Sequence, residues 1–301
     1  MAAALFFSFT AVSFSVSTFV VTSGACKESV FILSAFCPTA IFQQSAEASS
    51  VKFIQITDSH FSTSKADFSQ RDVEGAGDAL EKAIKDINTL KGIDFVAFTG
   101  DNIDTASEKD LKQFLQIANK LKVPYYIVIG NHEVFRSQNF DKKEYLKTVR
   151  KYSKSCKPQS PNYVFEKKGI VFLVVDGAKE IIPGPSGYYK KDTLAWLDKK
   201  LTKYKNRTVV ILQHFPIVEP YYNRSHTTYN IKDYEAVLKK HDNVIAIFSG
   251  HYHANGENKK DGIYHVSTPS LVEAPHNYKV VEIVVKNKKD YQVYTQLRHA
   301  E

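Results

Sequence analysis

The sequence predicts an α/β protein on three observations: five short apolar runs of strand composition, amphipathic helix-period segments between the early ones, and three late strand-like runs with no helix between them. The first run, residues 51–57 (VKFIQIT), is rich in β-branched and aromatic side chains, as are 93–99 (IDFVAFT), 125–129 (YYIVI), 208–212 (TVVIL) and 244–249 (VIAIFS). Between the first two, residues 72–90 place Ala76, Leu80, Ala83, Ile84 and Ile87 on one helical face. Residues 107–121 do the same with Leu111, Phe114, Leu115 and Ala118. Strand, helix, strand within roughly 40 residues is a βαβ unit, so the first half should be a parallel layer with right-handed crossovers.

A third helix is expected over 141–152, then a strand pair over 163–166 and 170–176, a Pro/Gly loop over 182–187, and a helix over 192–204. Residues 263–267, 278–285 and 291–297 are separated only by turn residues and are expected to pair with one another antiparallel. No repeat or linker follows Ser49, which predicts one domain over residues 49–301.

Residues 1–48 belong to a different compositional class, with Lys27, Glu28 and Glu47 their only charges. Lys27, the apolar run 30–42 and Ala46-Glu47-Ala48 have the layout of a secretory signal with cleavage before Ser49. The expected location is therefore exported, periplasmic or secreted. The alternative is a membrane anchor formed by the uncharged stretch 1–21. Past residue 48 the only cysteine is Cys156, so stability must come from the core rather than from a disulfide. The formal charge of +8 rises to +9 without residues 1–48 and favours anionic small molecules or anionic lipid heads. The lysines are scattered over helical faces and form no block, so nucleic acid is not an expected partner.

Each of the five strand-like runs is followed by a polar cluster: Asp58-Ser59-His60, Gly100-Asp101-Asn102, Gly130-Asn131-His132-Glu133, Gln213-His214 and Gly250-His251-Tyr252-His253. In an open α/β sheet, ligands bind outside the carboxyl ends of the strands, so these clusters can converge. Imidazole, carboxylate and one amide oxygen without thiolate suit Mn, Fe, Zn or Co. Eight candidate groups exceed the needs of one ion and point to two divalent ions sharing a carboxylate. Two such ions against two carboxylates leave a positive site that attracts a phosphate ester. Glycines at 100, 130 and 250 allow tight turns and close backbone approach.

The order D-x-H, GD, GNHE, H, GHxH over residues 51 to about 285 resembles the calcineurin-like metallophosphoesterase superfamily, and within it the cyclic-nucleotide phosphodiesterase-like branch. The resemblance implies a four-layer α/β/β/α sandwich with mixed sheets and two metal ions, Mn or Fe favoured over Zn. Asp58, His60 and His253 would hold the first ion, Asp101 would bridge, and Asn131, His214 and His251 would hold the second. His132 would contact the phosphoryl oxygen or protonate the leaving alkoxide. The implied activity is hydrolysis of a small organic phosphate monoester or diester. Asn102 and Glu133 adjoin ligands and are candidates for orienting them. The loop 219–230 (EPYYNRSHTTYN) offers Arg224 and His226 to a phosphate and tyrosines to a base or sugar. Purple acid phosphatase-like enzymes carry a tyrosine three residues after the bridging Asp, where this chain has Asp104. A nucleotide-pyrophosphate or lipid-phosphate hydrolase at a membrane surface is the alternative. A non-catalytic scaffold on the same fold would be expected to have lost ligands, and here every position is filled.

Overall fold

The computed structural model describes residues 49–64, 72–182 and 184–300; the leader expected over residues 1–48 lies outside them. No helix among the described residues is long and apolar enough to cross a membrane.

The first sheet is built from β1 (Ser49–Ile56), β2 (Phe95–Phe98) and β3 (Tyr125–Ile127), parallel to one another, with β10 (Asn277–Asn287) and β11 (Asp290–His299) added antiparallel on the far side of β1. The second has the order β4 (Tyr163–Lys167), β5 (Ile170–Val175), β6 (Val209–Gln213), β7 (Val244–Ser249), β9 (Ile263–Ser267) and β8 (Gly256–Lys260). Its four central strands are parallel and its two edges antiparallel. Both sheets are mixed, as expected.

Alternation along β1 sorts the layers. Val51 and Phe53 face the second sheet, whereas Ile54 and Ile56 face the helices α1 (Ala76–Ile87), α2 (Glu108–Ala118) and α3 (Lys142–Tyr152). On the second sheet, Phe172, Val210, Leu212 and Phe248 point inward, and Leu173 and Ile211 point to α4 (Lys191–Lys203) and α5 (Ile231–Leu238). The result is a helix/sheet/sheet/helix sandwich. Four phenylalanines pin the two sheets together: Phe53 stacks on Phe95 at 4.8 Å and meets Phe248 edge-on at 5.2 Å, and Phe95 meets Phe172 at 5.0 Å. Burying each contributes about 2–3 kcal/mol. Toward the ligand-bearing end this apolar layer gives way to a closed polar network, in which Gln55 donates to Thr99 and Ser249 and accepts from Thr268. These pairings offset the cost of burying polar groups between two sheets.

One expectation is corrected, and two elements were not expected. Residues 263–267 do not pair with 278–285: β9 lies in the second sheet, parallel to β7, and the chain then crosses back so that β10 completes the first sheet beside β1. Strand β8 was not expected because GENKK is an exposed, polar edge strand with no apolar face. Helix α5 was missed because it is eight residues long and buries only Tyr234, Val237 and Leu238.

Candidate metal centre

The five clusters lie on loops at the carboxyl ends of β1, β2, β3, β6 and β7, and hydrogen bonds between the loops gather them. Asp58 N–H donates to Gly100 O, His60 N–H to Asp101 O, and Gly250 N–H to His214 O. Five of the seven expected ligands, Asp58, His60, Asp101, His251 and His253, have positive φ values between 42° and 74°. Side chains other than glycine enter that region at a cost of about 1–3 kcal/mol each, so strain is concentrated on the loops that carry the chemistry.

Two glycines are dictated by space. A Cβ on Gly130 would lie 2.1 Å from Asp101 Oδ1, and one on Gly250 would lie 1.9 Å from Thr57 Oγ1 and 2.5 Å from Asp58 Oδ2. Gly250→Ala is therefore expected to push Asp58 out of place and lower bound metal to one ion or none, read as metal per chain by plasma mass spectrometry. Unchanged metal content would show that the loop absorbs the methyl group.

The donor atoms converge in a way that requires cations. His60 Nδ1 faces Asp104 Oδ1 at 3.1 Å and His253 Nδ1 faces Glu273 Oε1 at 2.6 Å. A carboxylate only accepts, so both Nδ1 atoms carry a hydrogen and, in the neutral rings that bind metal, both Nε2 atoms carry lone pairs. Those lone pairs sit 3.3 Å apart, and Asp58 Oδ1 lies 3.3 Å from His253 Nε2 and is buried with no hydrogen-bond partner. On the other side, His214 Nδ1–H donates to Thr99 O at 2.9 Å and His251 Nε2–H donates to His226 O at 3.1 Å. This turns His214 Nε2 toward Asp101 Oδ2 at 3.2 Å and Asn131 Oδ1 at 3.3 Å. Asp58, His60 and His253 form one group with ligand atoms within 4.8 Å of one another, and Asp101, His214 and His251 form a second. Acceptors facing acceptors in a buried site fit divalent ions, and in each imidazole the remaining nitrogen is anchored by an oxygen.

Protonation tells the same story. Burial disfavours a charged imidazole, yet Asp101 raises His214 to about 9 and Asp58 raises His253 to about 10. Burial lowers His60 to about 4 and His251 to about 3. Without an ion, each group thus holds one proton in the place where a cation belongs, and metal loading must release it.

Among the less certain site residues, Glu133 is fully buried, and its carboxylate accepts backbone N–H bonds from Gly130 at 2.6 Å, Asp101 at 3.0 Å and Asn102. It ties the β3 loop beneath the β2 loop and holds Asp101 in place. Burial, and then the Asp101 carboxylate, push it up to about 8. Asn102 lies beside it, buried, donating to Val128 O at 3.2 Å, and does not line the cleft. Sequence reasoning missed the ligand-orienting roles of Asp104 and Glu273. Asp104 was noted only as a departure from a tyrosine; Glu273 arrives on the crossover from β9 to β10, which pairing β9 with β10 would have removed.

Above the donors opens a cleft of about 750 Å³, lined by His60, Asp101, Asn131, His132, His251 and His253, with Tyr221, Asn223, His226 and Tyr252 on its wall. His132 Nδ1–H donates to Asp104 O at 2.5 Å, which leaves Nε2 for the cleft. A ring nitrogen of His132 also comes within ligand distance of His60 and Asp101. The structure brings His226 to the cleft but leaves Arg224 exposed outside it; Asn223 takes that wall position.

Comparison with known proteins agrees with this geometry. The chain is 28% identical over 213 residues to a "Probable glycerophosphodiester phosphodiesterase GpdQ" of Arcobacter nitrofigilis, covering 66% of this chain and 71% of that protein. It is 26% identical over 275 residues to the "Serine/threonine-protein phosphatase CPPED1" of Homo sapiens, covering 81% and 83%. Its fold is similar to that of a dimetal phosphatase from Danio rerio, with a TM-score of 0.63 at 17% identity over 82% of this chain and 99% of that one. The family model for the calcineurin-like phosphoesterases matches residues 51–255, from the first strand through the last ligand-bearing loop, and the chain belongs to that family, as a metal-dependent hydrolase.

Proposed function

We propose that this protein is an exported phosphoesterase that uses two divalent ions, manganese, iron or zinc with manganese or iron favoured, to hydrolyse small organic phosphate esters, diesters included. The observation that carries the reading is the convergence of two buried carboxylate–imidazole groups on one open cleft, with His132 at its edge. The glycerophosphodiester named for the Arcobacter relative supports a diester. Composition of residues 1–48 supports export.

Asp58, His60 and His253 would hold one ion, Asn131, His214 and His251 the other, and Asp101 both. Bound there, two divalent ions supply Lewis acidity, activating water at neutral pH and offsetting charge on the phosphoryl oxygens. The chain's own contribution is position. Asp104 and Glu273 fix the imidazole rings of His60 and His253, Thr99 O and His226 O fix those of His214 and His251, and Glu133 holds Asp101 from below. His132, oriented by Asp104 O, would, as the imidazolium, pass its Nε2 proton to the leaving alkoxide and be left neutral with Nδ1–H still on Asp104 O. Tyr221 and Tyr252, edge to face at 5.2 Å, stand on the cleft wall beside the donors.

The test is hydrolysis of bis-p-nitrophenyl phosphate and p-nitrophenyl phosphate by metal-stripped protein resupplied with Mn, Fe, Zn or nothing. The expected result is turnover that depends on added metal, with the diester cleaved. Equal activity without metal, or none with any metal despite two bound ions, overturns the reading.

A further inference from the structure

Six of the eight large hydrophobic side chains that stand exposed among the described residues lie on two loops, 177–190 and 219–230; Ile182 and Tyr222 are 77% and 81% exposed. Isolated exposed apolar residues are ordinary, but a cluster held out on one rim is not. These loops are also braced against each other. Tyr229 N–H donates to Gly187 O at 3.0 Å, Ser186 Oγ to Ser225 O at 3.0 Å, and Asn230 Nδ2 to Tyr189 O at 2.7 Å. In the crown they make, Tyr229 therefore stands on a braced frame, and Ile181, Ile182 and Tyr222 are exposed on the same two loops.

Cations stand among the apolar groups. Lys179 Nζ lies over the Tyr229 ring at 5.2 Å, and among the described residues no carboxylate pairs with Lys179, Lys190 or Arg224. The loops share a wall with the metal cleft, to which they contribute Pro185, Tyr221 and His226.

We propose that this crown docks on an anionic lipid bilayer and sets the mouth of the cleft at the level of the phosphate headgroups. The occupant follows from the chemistry. Tyrosine, isoleucine and basic side chains side by side match the boundary between headgroups and acyl chains, where the apolar part is buried and the ammonium or guanidinium stays with phosphate. The net charge of +8 adds attraction at a distance. The inference deepens the phosphoesterase reading by making headgroup-level phosphate esters the substrate class.

Residues 49–301 can be tested alone, because both sheets and both apolar layers are complete within 49–300. The experiment is co-sedimentation with phosphatidylcholine vesicles, with and without phosphatidylserine. The wild type is compared with Ile181→Asp/Ile182→Asp and with Lys179→Glu/Lys190→Glu, and hydrolysis of bis-p-nitrophenyl phosphate is measured in parallel. Binding to phosphatidylserine vesicles is expected to fall about tenfold or more in either double variant, while hydrolysis of the soluble ester is unchanged. Absence of vesicle binding by the wild type, or equal binding by the variants, overturns the proposal. So does self-association through the crown that Ile181→Asp/Ile182→Asp abolishes in a protein that ignores vesicles. Vesicle binding without soluble ester hydrolysis would instead count against the phosphoesterase reading and leave the docking surface standing.

Discussion

Asp101→Asn is expected to lower kcat/KM on a phosphodiester at least about a thousandfold while leaving the fold intact, because a charge term of several kcal/mol is lost and each 1.4 kcal/mol is tenfold in rate. Asp101 is the carboxylate expected to reach both ions, and it lies against both groups. Its Oδ2 lies 3.2 Å from His214 Nε2 and 3.9 Å from His60 Nε2, and its Oδ1 accepts from His132 N–H at 3.0 Å. Asparagine keeps the shape and the acceptor for His132 N–H, and its amide can donate to His214 Nε2. What disappears is the negative charge between the two ion positions. Metal content should fall below two ions per chain with little change in thermal unfolding. Full metal content with full activity would mean that Asp101 is not the shared ligand.

His132→Ala tests the chemistry rather than the metal. A general acid contributes about 10²–10⁴ in rate, and its value grows with the basicity of the leaving group. The variant should lose that factor on an alkyl ester such as a glycerophosphodiester, whose alkoxide needs a proton. It should lose much less on a p-nitrophenyl ester, whose phenolate leaves unaided. Metal content should stay at the wild-type value. A fall in bound metal would instead make His132 a ligand, consistent with its nearness to His60 and Asp101. Equal losses on both esters would assign it to binding the phosphoryl group.

How much of this was legible in the sequence depended on whether the signal is local. Strands β1, β2, β3, β6 and β7 announce themselves by runs of β-branched and aromatic residues, and the polar clusters stand directly after them. Five strand ends in parallel order leave few places for those clusters except one crevice, so the ligand candidates could be named without coordinates. Glycines 130 and 250 were legible as turn residues, but the reason they cannot be alanine lies in Asp101 and Thr57, far away in sequence.

The remainder of the site is tertiary. The hydrogen bond of Glu273 to His253 exists only because β9 joins the second sheet and the chain returns past the β1 loop, where Leu271 and Val272 N–H donate to Thr57 O and Asp58 O. Thr99 O and His226 O orient imidazoles through main-chain atoms, which no side-chain pattern records. Glu133 was suggested by its position beside His132, but its role as an acceptor for three loop N–H groups appears only when β2 and β3 lie side by side. Arg224, singled out by its charge, is exposed and does not line the cleft, whereas His226 does.

The central claim is that two cations belong among these donors, and the most direct measurement is anomalous diffraction from crystals of residues 49–301 grown with manganese. The account predicts two peaks, one among Asp58, His60 and His253 and the other among Asn131, His214 and His251, with the Asp101 carboxylate reaching both. A single peak, or density elsewhere with these side chains metal-free, would contradict it.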